Sequence, residues 1–197
     1  NNPMDFISFS NLSSNFEDSN LFINDVINEL KYIKTSWEPF GRTTHNGYHS
    51  GNDFNIFKNS TKNINNLKAI ILKKIDLYHS KFKDKNCSFI QNWPLKKELI
   101  SWYIILKQQG YQEDHIHPSA WLSGVIYLKV VPPLKKNEGA IEFSLNSKNY
   151  SHSNSLKFIH QPKAGDIVLF PSSLHHRTIP FTTDTDRIII SFDMKPK

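Results

Sequence analysis

From Leu99 onward the chain breaks into short segments rich in Val, Ile, Phe and Tyr: ISWYIIL, WLSGVIYLKV, GAIEFSL, LKFIHQ, GDIVLF and RIIISFDM. Clusters of Gly, Pro, Asn and Asp separate them. β-Branched and aromatic side chains suit a pleated, half-buried surface, and turn residues at this spacing fold the chain back on itself. Many short strands in succession close into a jelly roll or cupin-like barrel, and a long helix beforehand braces one face. The expectation is an α+β chain with two parts of one domain. Residues 1–95 form a helical and irregular buttress, and residues 96–197 form the barrel.

The first part carries two helical periodicities. Ser19 and Asn20 are placed to cap a helix with apolar positions Leu21, Phe22, Val26, Ile27, Leu30 and Ile33, ending before Trp37-Glu38-Pro39. A second helix is expected from about Ile64 to Phe82, with Leu67, Ile71, Ile75 and Tyr78 on its inner face, widened by Ile70 and Leu72. Between them TTHNGYHSGNDFNIFKNS, residues 43–60, is rich in Gly, Asn and Ser and reads as a loop. There is no internal repeat and no linker composition.

Composition bounds the setting. A hydrophobic content of 38% and a charged content of 21% describe a globular chain. The single cysteine, Cys87, has no internal disulfide partner and no catalytic partner beside it in sequence, which fits a reducing compartment. No apolar run approaches the roughly 18 residues of a membrane span. NNPMDFISFSNLSSN lacks the basic and apolar regions of a secretory signal, so a cytoplasmic location is expected. The net charge of +6 is spread as Lys along helices and loops and reads as solvated surface.

Three features of the β-rich half belong together chemically. In His115-Ile116-His117, placed on a strand, alternation puts both imidazoles on one face, where two of them can grip one metal ion. His175-His176 follows GDIVLFPSSL, and Arg187 opens the last strand. Fe(II) oxygen chemistry needs a few protein ligands on one side of the ion and open positions on the other. A 2-oxoacid chelates through its keto and carboxylate oxygens, and its far carboxylate needs a fixed cation and a hydroxyl donor. Arginine's planar fork suits that role. Tyr127, in WLSGVIYLKV, is placed to donate its hydroxyl to the same group.

The runs HIHPSAWLSGVIYL, GAIEF, PKAGDIVLFPSSLHHRTIP and RIIISFD, in this order, resemble the 2-oxoglutarate/Fe(II) oxygenase family related to prolyl hydroxylases. GYHSGNDF and the helix after it are similar more weakly. The resemblance implies a double-stranded β-helix, Fe(II) as metal, and 2-oxoglutarate and O2 as cosubstrates. It further implies His115 as first ligand, His176 as distal ligand with His175 turned away, Arg187 as carboxylate anchor and Tyr127 as its helper. One departure stands out. The wider superfamily has His-x-Asp or His-x-Glu where this chain has His-x-His. Either His117 replaces the carboxylate, or a bulge turns Asp114 inward.

Simpler readings stand beside these. His45, His79, His152 and His160 read as surface or hydrogen-bonded residues. His49 is the exception, because its loop can approach the barrel mouth and touch substrate. Trp121 either walls a substrate pocket or packs in the core. Ser172 and Ser173 have no nucleophile-elbow pattern around them, which argues against a hydrolase. The expected activity is hydroxylation of a peptide, an amino-acid side chain or another small molecule. A nucleic-acid dioxygenase resembles the same barrel but carries a second arginine six residues beyond the anchor, where this chain has Asp193. A cupin-like metal-binding module without turnover is the competing class. It has no need to fix a distal carboxylate with Arg187 and Tyr127.

Overall fold

Alternation along the last long strand sets up the architecture. In β10, Arg187–Pro196, the residues Ile188, Ile190, Phe192 and Met194 join the core shared with the helices. Ile189 faces the other way, into the barrel core, and Arg187, Ser191 and Asp193 share its face because successive side chains point to opposite sides. A computed structural model of the chain describes residues 2–51, 54–58, 61–145 and 156–197.

Strand β10 sits centrally, antiparallel to β4 (Lys97–Gln112) on one side and β5 (Leu122–Lys129) on the other. The larger sheet has seven strands in the order β1-β8-β5-β10-β4-β3-β2. Its remaining members are β1 (Ser8–Asn11), β2 (Thr35–Trp37), β3 (Thr44–Ser50) and β8 (Asp166–Pro171). A smaller sheet, in the order β7-β6-β9, faces it; its strands are β6 (Ile141–Ser144), β7 (Lys157–His160) and β9 (His175–Thr178). Ile104, Leu106, Val125, Tyr127, Phe143, Val168, Phe170 and Ile189 fill the space between the sheets.

The outer face of the large sheet is covered by helices. Asp18 caps α1 (Ser19–Leu30) by accepting the Leu21 N–H at 2.9 Å, so Ser19 is the first helical residue, not the cap. Phe22, Ile23, Val26 and Leu30 are buried, whereas Leu21 is 60% exposed. Helix α2 (Lys62–Phe82) buries Ile64, Leu67, Ile71, Ile75, Tyr78 and Phe82. Each such aliphatic side chain stabilises the fold by roughly 1.5–3 kcal/mol through burial. Tyr78 donates its hydroxyl to the Phe6 carbonyl at 2.7 Å and ties the helix to the N-terminal segment. A short α3 (Ser88–Gln91) leads into β4.

Two expectations need correction. Residues 1–95 supply strands as well as helices, namely β1, β2 and β3. In particular, the stretch read as a loop contains β3, which pairs with β2 and β4. Its sequence THNGYHS has little intrinsic preference for a strand. The backbone groups along the edge of β4 decide the matter, since pairing satisfies N–H and C=O groups that burial would otherwise leave without partners. His152 and part of GYHSGNDF (52–53) lie outside the described residues.

Candidate active site

The three expected histidines meet at the open end of the barrel. The His115–His117 segment lies in the connection between β4 and β5, so it is not the regular strand the alternation argument assumed. It is pinned strand-like all the same. His115 and His176 exchange backbone hydrogen bonds at 3.1 Å in both directions, and the His117 N–H donates to the Ser172 carbonyl at 2.9 Å. Both imidazoles therefore turn toward β9, from which His176 projects. One ligand nitrogen from each of His115, His117 and His176 falls within 4.8 Å of the others.

Each ring has its Nδ1 committed. His115 Nδ1 lies 2.7 Å from the Glu113 carbonyl, His176 Nδ1 3.0 Å from the Leu174 carbonyl, and His117 Nδ1 2.6 Å from Asp193 Oδ1. Oxygens of this kind only accept, so Nδ1 carries the proton and Nε2 keeps its lone pair. Burial, with the neighbouring His117, lowers the pKa of His115 to about 4. Burial, then His115 and His117, hold His176 well below the usual imidazole value. Both rings are neutral near neutral pH, the state a metal ligand requires. His175 turns the other way and pairs with Asp114 at 3.0 Å, so the Asp114 carboxylate is not part of the cluster.

Deeper in the barrel, Arg187 is 1% exposed. Its Nε donates to the Gly139 carbonyl at 3.2 Å, while its buried Nη1 has no partner. The guanidinium carbon lies 5.0 Å from the centroid of the Tyr127 ring. Tyr127 is fully buried, and its hydroxyl also lacks a partner. Burial pushes the Tyr127 phenol up to about 12, opposed by the charge of Arg187, so it remains a donor. Two donors without acceptors are costly: a buried unpaired polar group costs about 1–3 kcal/mol, and a charged one more. Arg187 has no ion-pair partner among the described residues. The slot they line also reaches His115, His117 and His176. An anion with two oxygens, lying between Arg187 and the histidines, would satisfy both donors, and this is the shape of demand that 2-oxoglutarate makes.

A second, more open cavity of about 390 Å³ adjoins the histidines, lined by Arg42, His49, Trp102, His117, Asp193 and Lys195 among others. His49 is buried, its Nδ1 faces the Ser50 carbonyl, and burial lowers its pKa to about 4.

Residues 100–193 match a family model described as "Putative 2OG-Fe(II) oxygenase". That description names Fe(II) and 2-oxoglutarate, and His115, His117 and His176 could hold a metal ion. Over residues 100–193 the chain is thus similar to the 2-oxoglutarate/Fe(II) oxygenases. Its fold is similar to that of a prolyl-4-hydroxylase from Pseudomonas putida, at 10% identity and TM-score 0.63, covering 97% of this chain and 92% of that one. HygX from Streptomyces hygroscopicus, solved with nickel and 2-oxoglutarate, matches at 12% identity and TM-score 0.63 over 97% of this chain and 83% of that one. The viral collagen prolyl hydroxylase of Paramecium Bursaria Chlorella virus-1, a 2-oxoglutarate complex, matches at 14% identity and TM-score 0.58 over 98% and 96%. At such identities the likeness is one of fold, the double-stranded β-helix. No curated protein matches the chain in sequence.

The fold brings His115, His117, His176, Arg187 and Tyr127 around one connected space, with His49 on the adjoining cavity. Trp121 lies outside both cavities; it packs against Phe89 and donates its indole N–H to the Phe89 carbonyl at 3.0 Å. Trp102 is the aromatic wall instead, with its ring centroid 5.5 Å from that of His117. Sequence reasoning also passed over Asp193 and Ser123, which hold His117. The signal for Asp193 was present: it shares the period-2 face of Arg187 on an otherwise apolar strand.

Proposed function

We propose that this chain is an oxygenase that hydroxylates a peptide, an amino-acid side chain or another small molecule, with His115, His117 and His176 holding Fe(II) and with Arg187 and Tyr127 anchoring the distal carboxylate of 2-oxoglutarate. Bound iron supplies oxygen activation coupled to decarboxylation of the 2-oxoacid. The chain's own residues do the rest. The three Nδ1–H contacts keep the Nε2 lone pairs available, and Arg187 and Tyr127 fix the 2-oxoacid from its far end. Val125, Ile141, Phe170 and Ile189 line the inner slot and limit water there. Substrate enters through the cavity beside His49 and Trp102 and meets the histidines from the solvent side. A structural neighbour that is a prolyl hydroxylase in complex with a peptide fragment supports a peptide substrate, and HygX with hygromycin B bound supports a small molecule. The lone Cys87 supports a cytoplasmic setting, and no helix among the described residues is long and apolar enough to cross a membrane.

The single observation that carries this reading is the buried Arg187–Tyr127 pair, with two donors and no acceptor. Anaerobic titration of the Fe(II)-loaded protein with 2-oxoglutarate tests it, read by the visible metal-to-ligand charge-transfer band. The band is expected in the wild type and weakened in Arg187→Ala. Absence of a band and of 2-oxoglutarate binding in the wild type would refute the proposal.

A further inference from the structure

Asp193 is a buried carboxyl group, 6% exposed, and no Lys or Arg among the described residues pairs with it. Its oxygen Oδ1 gathers hydrogen bonds instead. His117 Nδ1 stands at 2.6 Å and Ser123 Oγ at 2.7 Å, the latter from the residue directly across the ladder between β10 and β5. Ser123 Oγ also lies 2.9 Å from Ser172 Oγ and 3.1 Å from His117 Nδ1. A serine has one hydroxyl proton. Ser123 gives its proton to Asp193 and accepts that of Ser172, so the donors form a chain that ends on one carboxylate oxygen. The chain fixes the Asp193 carboxyl against the His117 ring and leaves the other ring nitrogen of His117 free to face His115 and His176.

We propose that Asp193 is a positioning residue for the metal. It holds His117 with Nε2 free for the ion, and it returns, one side chain removed, the negative charge that a His-x-His pair leaves out of the direct ligand set. This inference rests on the reading of the three histidines as metal ligands. The outer carboxylate fixes tautomer and ring orientation and raises the basicity of the nitrogen that binds. The charge is displaced by one imidazole and not lost.

The test is Co(II) titration of the metal-free protein, read by the visible absorption of the bound ion. Three variants are compared with the wild type. Asp193→Asn keeps an acceptor and removes the charge, Asp193→Ala removes both, and Ser123→Ala keeps the carboxylate. Loss of an outer-shell partner weakens metal binding by about 10- to 100-fold. Asp193→Asn is expected near the lower figure, Asp193→Ala near the upper, and Ser123→Ala close to wild type. Folding is checked by the melting temperature of each metal-free variant. Should the Asp193 variants fail to fold, histidine ¹⁵N spectra of the Zn(II)-loaded wild type decide the question. A His117 ring protonated at Nδ1 and bound through Nε2 supports the proposal, and the opposite tautomer overturns it. Folded Asp193 variants that bind Co(II) within about twofold of wild type also overturn it and leave the histidine cluster standing. A wild type that takes up no Co(II) removes the metal site itself, and this inference with it.

Discussion

At the scale of single residues, one buried charge and the buried histidines each make a prediction. Arg187 costs the empty protein stability, because a guanidinium out of water with an idle nitrogen is an uncompensated charge. Arg187→Met should therefore leave the melting temperature of the metal-free protein unchanged or raised, while 2-oxoglutarate affinity drops by about 100-fold, on the order of two charge-assisted hydrogen bonds. A parallel loss of stability and affinity, in thermal melts and equilibrium binding, would show that Arg187 is structural. The histidines predict a pH dependence. In the unfolded chain an imidazole titrates near 6.5, whereas in the folded protein burial lowers His49 and His115 to about 4. Between these values the unfolded state binds protons that the folded state refuses, so stability rises with pH across this window. The stability is complete above about pH 6.5 and drains away as the pH falls toward 4. Melting curves of the metal-free protein from pH 7.5 to 4.5 should show this decline, and a flat profile would mean that the rings are hydrated in solution.

At the scale of elements, the site depends on how β5 and β10 seat against each other and against α2. Gly124 lies directly across from Phe192, and a Cβ at position 124 would stand 2.2 Å from the Phe192 ring. Overpacking of this kind costs about 1–3 kcal/mol. Gly124→Ala should therefore lower the melting temperature, and Phe192→Leu in the same chain should recover part of the loss, because it removes the ring that the new methyl strikes. A Gly124→Ala protein as stable as wild type would refute this packing account. On the helical side, Leu67 and Ile71 are fully buried. Truncation to Ala should cost about 2–5 kcal/mol in denaturant unfolding. These variants sit on the far side of the sheet from the histidines, so metal affinity at a temperature where they remain folded should stay within a few-fold of wild type.

At the scale of the whole molecule, the helices and the barrel share a single sheet as their common wall. One face of β10 serves the core against α1 and α2, and the other presents Arg187 and Asp193 to the interior. Ligands that bind only the folded state raise the melting temperature by mass action. On the proposed reading, in which its keto and carboxylate end is held by the ion, 2-oxoglutarate should do so markedly with metal present and weakly without it; an equal shift in both conditions would place it elsewhere. The sequence by itself determined the parts governed by local periodicity. Leu67, Ile71, Ile75 and Tyr78 at helical spacing announce α2, the short apolar runs announce the barrel strands, and HIH, LHH and Arg187 announce the residues that come together at its mouth. Tertiary structure alone decided the rest. Strand β3 exists because β4 offers it an edge, not because THNGYHS prefers to be extended. Asp114 faces His175, and Asp193 faces His117, because register across sheets separates residues adjacent in sequence and joins residues far apart. Trp121 turned out to pack with Phe89 while Trp102 walls the cavity, since both are equally apolar and only the direction of the backbone settles which one meets the site. Periodicity gives the face on which a side chain lies; what stands opposite that face is fixed by long-range pairing, which no local pattern encodes.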